Sequence, residues 1–298
     1  MERRAGTGVY EGAIVDTHYH VYDRGTTPYE GLLASAAMDA TFTPDDYRRA
    51  MADANVEAGI VLNVVDRDFG FTEYEYIARI AATEPLISRY IPFCPLNEAG
   101  SLEAIRSYAG LPLVAGVRHN QLIPMHGQVP HVARAIDSLR ELGAHGLVYE
   151  ISARPAQHRQ LAELAKACPE TTIVLGHLGK PAAAVPPEPQ WIEGIAALAK
   201  QPNVLCKLSC PVDSADDPPM TDGFLHPLIG TVVDRFGFDR VMFGTNFPTC
   251  NVALSARGWL RAIGTALDSP SPDERDRLYR RNACAAYRVP RAAAAGTT

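Results

Sequence analysis

Short apolar runs alternate with amphipathic stretches along almost the whole chain. Strands that are buried on both faces, as in a parallel sheet covered by helices, give nearly continuous runs of this kind. The pattern therefore predicts eight parallel strands. The runs cover residues 13–20, 59–65, 89–96, 113–120, 146–152, 172–178, 203–209 and 240–248.

The stretches between these runs carry the signals of helices. The first opens with Thr43 and Pro44, a helix cap and a residue favoured in the first helical turn. Several others end at Gly or are followed by Pro, and both are helix-stop signals. The helical stretches are 43–58, 72–85, 101–110, 129–144, 154–168, 189–201, 224–237 and 252–267.

Eight alternations of strand and helix predict an α/β fold, a (β/α)8 TIM barrel. A doubly wound open sheet is the alternative, but it more usually has fewer strands and a Gly-rich first turn, which is missing here. Residues 271–289 predict one extra C-terminal helix. No linker or repeat interrupts the 298 residues, so we expect one domain, with residues 1–11 and 290–298 flexible.

Composition and charge narrow the class of partner. The net charge is −6 and the isoelectric point is about 5.8, whereas nucleic-acid binding requires a basic surface. The N-terminus lacks the apolar segment of a signal peptide, and no apolar run is long enough to span a membrane. We therefore expect a soluble, cytoplasmic protein with a small-molecule partner, as a monomer or homo-oligomer, whose six cysteines are free thiols.

Polar side chains collect at the carboxyl ends of the predicted strands. In a TIM barrel the active site is built at these ends. Polar groups inside apolar strands cost free energy unless they are paired or used, so their concentration at one end predicts an active site there. The residues are His18, His20, Arg118, His119, Glu150, His177, Lys207 and Asn246.

His18 and His20 lie one residue apart, so their rings project to the same side of the first strand. They could form a metal pair, with His177 as a third nitrogen ligand and Glu150 as an oxygen ligand. They could instead polarise a substrate carbonyl without a metal, or form hydrogen bonds in the core. A zinc site of His177 with Cys206 and Cys210 is less favoured, because Cys206 lies in the middle of an apolar strand.

Three cations, Arg118, Lys180 and Lys207, are placed around the same end of an acidic protein. An arginine with nearby lysines suits a substrate that carries a carboxylate. In the alternative, Arg118 pairs with Glu150 and Lys180 is solvated. Arg118 and His119 project to opposite faces of their strand, and we expect Arg118 to face inward.

The strand-end motifs resemble those of the amidohydrolase-related family, and within it the branch of sugar lactonases and 2-pyrone-4,6-dicarboxylate lactonase. The resemblance runs from about residue 12 to residue 288. It implies a TIM barrel that adds water to a lactone or related carbonyl, with an aspartate on the eighth strand as general base. Some members use a divalent metal and others use none. The motifs are "VDTHYH", "GVRHN", "GHLGKP", "KLS" and "RVMFGTNFP".

The chain departs from the family pattern at Asn246, where a hydrolase of this kind usually has Asp. A neutral amide cannot accept a proton from water, and it is a poor zinc ligand. We therefore predict a lactonase-like hydrolase that needs no cofactor, although a divalent metal such as zinc, held by His18, His20 and His177, remains the alternative.

The predicted roles follow from these residue types. Arg118, Lys180, Lys207 and His119 bind an anionic substrate, His18 and His20 polarise its carbonyl, and His177 or Glu150 activates water, with Asn246 beside them. Two other functions stay open. Loss of the eighth-strand base fits a non-hydrolytic lyase, dehydratase or cyclase, and it also fits a pseudo-hydrolase that only binds a ligand.

Overall fold

A computed structural model describes residues 10–25, 39–66, 68–182, 184–211 and 220–290. Within these residues the predicted alternation of strand and helix is confirmed. Each strand overlaps the apolar run that predicted it, although β2 and β3 begin two or three residues earlier. The strands are β1 (Ile14–Tyr19), β2 (Val56–Leu62), β3 (Ile87–Ile91), β4 (Gly116–Arg118), β5 (Val148–Ile151), β6 (Ile173–Leu175), β7 (Val204–Ser209) and β8 (Val241–Gly244).

All strand ladders are parallel and follow chain order, from β1 to β3 and from β4 to β8. Parallel bridges join the two groups: Tyr90 pairs with Val114 between β3 and β4. Tyr19 pairs with Phe247, just beyond β8. These bridges close the ring, so the predicted TIM barrel is confirmed.

Helices follow the strands around the outside of the barrel. One prediction is wrong: the first helix was expected to run to residue 58, but α1 ends at Ala50 and β2 begins at Val56. The helices are α1 (Pro44–Ala50), α2 (Phe71–Ala81), α3 (Ser101–Ala109), α4 (Val132–Ala144), α5 (Pro155–Ala167), α6 (Pro189–Ala199), α7 (Asp222–Phe236), α8 (Ala256–Ala266), α9 (Pro272–Asp276) and α10 (Asn282–Tyr287). A π-helical turn, Arg277–Arg281, joins α9 to α10, which confirms the extra C-terminal helix.

The core has two main parts. The larger lies between the strands and the surrounding helices. The smaller fills the barrel interior with residues such as Val15, Val148 and Met242, and Ala283 and Tyr287 of α10 pack into it. Because these barrel residues lie near the starts of their strands, α10 covers the amino end of the barrel, opposite the predicted site.

The termini, the helix lengths and the cysteines were also predicted from the sequence. Residues 1–9 and 291–298, most of the termini predicted to be flexible, lie outside the described residues. No described helix is long and apolar enough to cross a membrane. All six cysteines are free thiols, and five of them are buried.

Candidate active site

The structure brings the imidazoles of His18, His20 and His177 together at the carboxyl ends of β1 and β6. The ring centroids of His18 and His20 are 5.1 Å apart, and those of His18 and His177 are 4.4 Å apart. All three side chains are buried. Residues that lie more than 150 positions apart in the sequence thus form one cluster.

Backbone carbonyls define the tautomers of two of these rings. His20 Nδ1 lies 3.0 Å from the carbonyl of Leu62, and His177 Nδ1 lies 3.1 Å from that of Cys210. A carbonyl only accepts, so each Nδ1 carries the proton and donates it. In the neutral rings Nε2 is therefore an unprotonated acceptor.

His18 differs from its neighbours. Both of its ring nitrogens are buried, and neither has a hydrogen-bond partner among the described residues. Burial lowers the pKa of His18 well below its usual range, and the positive charge of Lys207 lowers it further. Burial, followed by the charge of Arg118, lowers the pKa of His20 to about 3. At neutral pH these rings are uncharged.

Asn246 follows β8 and faces the same cluster. Its backbone N–H donates to the His18 carbonyl at 2.7 Å, and Nδ2 donates to the Cys210 carbonyl at 3.0 Å. The Cys210 carbonyl also accepts the hydrogen bond from His177 Nδ1–H, and a carbonyl cannot donate. The amide atom of Asn246 that faces it must therefore be the nitrogen. The amide oxygen then lies on the other side, available as an acceptor. The backbone of Asn246 has a φ of 62°, a conformation that Asn tolerates better than most residues.

Asp16 positions this cluster from behind, a role that the sequence analysis missed. Its carboxylate accepts from the backbone N–H groups of His18 and Thr245, at 3.0 and 2.9 Å. It also accepts from the hydroxyls of Thr245 and Tyr47, at 2.6 and 2.9 Å. The signal was present in the sequence, because Asp16 is a carboxylate inside the apolar run that carries the two histidines.

Lys207 and Glu150, predicted as a substrate-binding and a catalytic residue, form a buried ion pair inside the barrel. Lys207 Nζ lies 2.9 and 2.7 Å from the two Glu150 carboxylate oxygens and 2.5 Å from the Thr17 carbonyl. These contacts use the three protons of the ammonium group. The alternative in which Glu150 pairs with Arg118 is wrong, because Lys207 is its ion-pair partner.

Arg118 lies at the barrel mouth, as its strand parity predicted. Its Nε donates to Asn120 Oδ1 at 3.3 Å, Nη1 to the Asn63 carbonyl at 3.4 Å and Nη2 to Ser152 Oγ at 3.2 Å. The Asn120 side chain also binds the Ser152 backbone N–H at 2.9 Å, which ties the arginine to β5. Among the described residues Arg118 has no ion pair, and its three hydrogen-bond acceptors are neutral.

The two remaining predicted residues have different surroundings. His119 Nδ1 accepts from the Leu96 backbone N–H at 3.1 Å, and its ring meets Phe93 edge-on, so its side chain contacts the segment after β3. Lys180 follows the turn that begins with His177. Burial lowers the pKa of that imidazole well below its usual range, and the charge of Lys180 lowers it further. The structure thus groups Lys180 with the site and gives His119 a packing role.

The imidazole cluster has the donor atoms of a metal site. Its donor chemistry suits zinc, and histidines that bind metals commonly donate their other ring proton to a carbonyl, as His20 and His177 do. Among the described residues, however, no group of three His, Cys, Asp or Glu side chains has an arrangement that could hold a metal ion. The residues therefore supply suitable donors but not a metal-binding arrangement.

Comparison with known proteins identifies the family. A family model described as amidohydrolase matches residues 15–289. The chain belongs to the amidohydrolase family, and it is a hydrolase of that family. This amidohydrolase is 25% identical to an L-fucono-1,5-lactonase of Burkholderia ambifaria, over 93% of the chain and 96% of the relative. It is 27% identical to an L-rhamnono-gamma-lactonase of Scheffersomyces stipitis, over 93% and 98% of the two chains.

Solved structures share the fold of this amidohydrolase. An amidohydrolase of Burkholderia multivorans with bound zinc superimposes with a TM-score of 0.76 at 22% identity, covering 94% of this chain and all of that one. A probable 2-pyrone-4,6-dicarboxylic acid hydrolase of Acinetobacter baumannii with bound citric acid gives 0.69 at 15% identity, covering 92% and 98%. At these identities the likeness supports the TIM barrel alone.

Proposed function

We propose that this amidohydrolase is a lactonase that opens a small lactone bearing a carboxylate. The observation that carries the proposal concerns Arg118. Its guanidinium group donates hydrogen bonds only to neutral acceptors in the described chain. Those three bonds leave one N–H on each terminal nitrogen, and a pair of N–H groups suits a carboxylate. Curated relatives named as sugar lactonases support the reaction, although their names do not indicate a charged substrate.

The chemistry is assigned to the imidazole cluster and Asn246. His177 Nε2 is an unprotonated acceptor and takes a proton from water as the water oxygen attacks the lactone carbonyl. His18, whose ring nitrogens have no partner within the described part of the chain, donates its N–H to the developing oxyanion. The amide oxygen of Asn246 accepts a hydrogen bond from the second O–H of the water, whose proton stays on the attacking oxygen, and so orients the nucleophile.

Ring opening then restores the resting state. The tetrahedral intermediate collapses, the bond from the former carbonyl carbon to the ring oxygen breaks, and the His177 imidazolium returns its proton to that oxygen. The product is an open-chain hydroxy acid. Lys207 and Glu150 take no part in these steps, so their ion pair stays intact throughout the reaction.

The test uses two lactones of similar shape in oxygen-18 water. The γ-lactone of 2-hydroxyglutarate carries a carboxylate where γ-valerolactone carries a methyl group. We expect turnover of the carboxylate lactone, with one oxygen-18 atom in the new carboxyl group, and much slower turnover of γ-valerolactone. L-Fucono-1,5-lactone serves as a neutral, hydroxylated comparison.

The outcomes separate the two parts of the proposal. If none of these lactones is opened, the lactonase assignment is wrong. If all are opened at equal rates, the reaction is right and the carboxylate preference is wrong. Product without oxygen-18 would indicate elimination rather than addition of water.

A further inference from the structure

The barrel interior contains an ion pair that packing alone does not require. Lys207 is fully buried and Glu150 is 2% exposed, in an interior filled mainly by apolar side chains. Removing two charges from water costs several kcal/mol per ion, and apolar residues of similar size often give equal or greater stability. The pair therefore indicates a role other than stabilising the barrel.

The ion pair is connected directly to the strand that carries the histidines. Lys207 Nζ donates to the carbonyl of Thr17, the residue before His18, at 2.5 Å. The Thr17 hydroxyl donates to the Phe243 carbonyl on β8 at 2.6 Å. Through Thr17, the ammonium group fixes β1 immediately below His18 and links it to the strand that leads to Asn246.

The ion pair is held from the opposite side by the C-terminal helix. The Tyr287 hydroxyl donates to Glu150 Oε1 at 2.7 Å, and Lys207 Nζ lies 5.2 Å from the centre of the Tyr287 ring. The carbonyl of Tyr287 accepts from Arg89 Nε on β3 at 3.1 Å, which fixes the end of α10 under the barrel. Tyr287 is fully buried and reaches the ion pair from the amino end of the strands.

We propose that Tyr287 is a positioning residue of the active site, acting through Glu150, Lys207 and Thr17 to fix the His18 segment. In this arrangement α10 covers the amino end of the barrel and also positions the active site. A hydrogen-bonded path runs from its last residue, Tyr287, to the first catalytic strand, and each member of it is buried. The proposal concerns the catalytic effect of this path, and it rests in that respect on the proposed lactonase reaction.

The test is Tyr287→Phe, which removes one hydroxyl and keeps the ring, its packing and its place beside Lys207. The matched control is Tyr108→Phe, because Tyr108 is also fully buried and its hydroxyl also makes a single bond, to the Phe69 carbonyl outside the barrel. Misplaced catalytic groups lower turnover more than affinity. We therefore expect Tyr287→Phe to lower kcat on the carboxylate lactone about tenfold, with KM within about twofold.

A second measurement does not depend on the substrate. The ring nitrogen shifts of His18, assigned by NMR with a His18→Gln variant, should move in Tyr287→Phe at neutral pH and stay in place in Tyr108→Phe. If the wild type opens no lactone, the reaction is wrong but the shifts still test the positioning. Unchanged His18 shifts, or a kcat equal to that of Tyr108→Phe, would overturn the proposal.

Discussion

Arg118 contributes a positive charge that no ion pair within the described chain balances. Its acceptors are an amide oxygen, a backbone carbonyl and a hydroxyl, all neutral. Burial lowers the pKa of Arg118, but an arginine in this setting stays protonated at neutral pH. A charge held in place by neutral acceptors is suited to meet an anion from outside the protein.

Arg118→Met should therefore raise KM for the γ-lactone of 2-hydroxyglutarate strongly. Truncating one member of a buried charge pair costs roughly 2–5 kcal/mol, which corresponds to a change of about 30-fold or more. Turnover of γ-valerolactone should be unaffected, because it offers no carboxylate. Steady-state kinetics with both lactones test this, with Arg106→Met, at an exposed ion pair, as the control. Equal loss on both substrates would remove Arg118 from carboxylate binding.

Asn246 is fitted to its position as an amide. In Asn246→Asp, a carboxylate oxygen would face the Cys210 carbonyl at the place where Nδ2 now donates. Two acceptors in contact lose the hydrogen bond and leave a buried group unsatisfied, at a cost of about 1–3 kcal/mol. We expect urea unfolding at neutral pH to show this loss. An unchanged free energy of unfolding would mean that the site accommodates the aspartate of the family pattern without strain.

At the scale of strands and helices, the sequence predicted the order of elements because both faces of each barrel strand are covered. The apolar runs were therefore continuous and easy to read. The boundary at residues 51–58 was misread because no Gly or Pro separates the end of α1 from the start of β2, and a short apolar segment has no clear period.

The sequence also predicted which side chains at the strand ends project toward the barrel mouth, because alternate residues of a strand point to opposite faces. This rule placed Arg118 and the two histidines of the first strand at the mouth. Pairing partners are not local: Glu150 binds Lys207 two strands away and Tyr287 more than a hundred residues later. Asp16 was missed for the same reason, since its partners Thr245, just after β8, and Tyr47, on α1, come together only in the folded barrel.

The imidazoles of β1 and β6 lead to a prediction about metal. Arg118 and Lys207 add positive potential near the cluster, which disfavours an added divalent ion, and Asn246 supplies no carboxylate. We expect the purified protein to be metal-free or partly occupied, and a chelator to leave lactone turnover intact. About one zinc per chain by elemental analysis, with activity lost to chelator and restored by metal, would contradict this.

Asn246→Asp should raise the affinity for zinc.

At the scale of the whole molecule, buried neutral histidines link stability to pH. Burial lowers the pKa of His119 to about 4 and that of His158 to about 4, from an ordinary value of 6.5. His158 lies outside the imidazole cluster, and its Nε2 lies 3.2 Å from the Ala153 carbonyl and 3.0 Å from that of Gly179. Glu73 acts in the opposite direction, because burial raises its pKa to about 7.

The sign of the pH effect follows from which state binds the protons. Below pH 6.5 the unfolded chain protonates these histidines, while the native protein resists until about pH 4, so stability falls as the pH drops through this window. Each histidine can contribute up to about 3 kcal/mol. Glu73 offsets part of this, because the native carboxyl takes up a proton below pH 7 that the unfolded chain binds only near 4.5.

We therefore expect urea unfolding to give a lower free energy at pH 5 than at pH 7, with a slope of about 1.4 kcal/mol per pH unit for each net proton. His119→Asn, whose amide oxygen can replace Nδ1 as the acceptor for Leu96, should reduce the slope by one proton. Glu73→Gln should make it steeper, because the opposing group is gone. A free energy of unfolding that stays constant or rises between pH 7 and pH 5 would show that these histidines are protonated in the native protein.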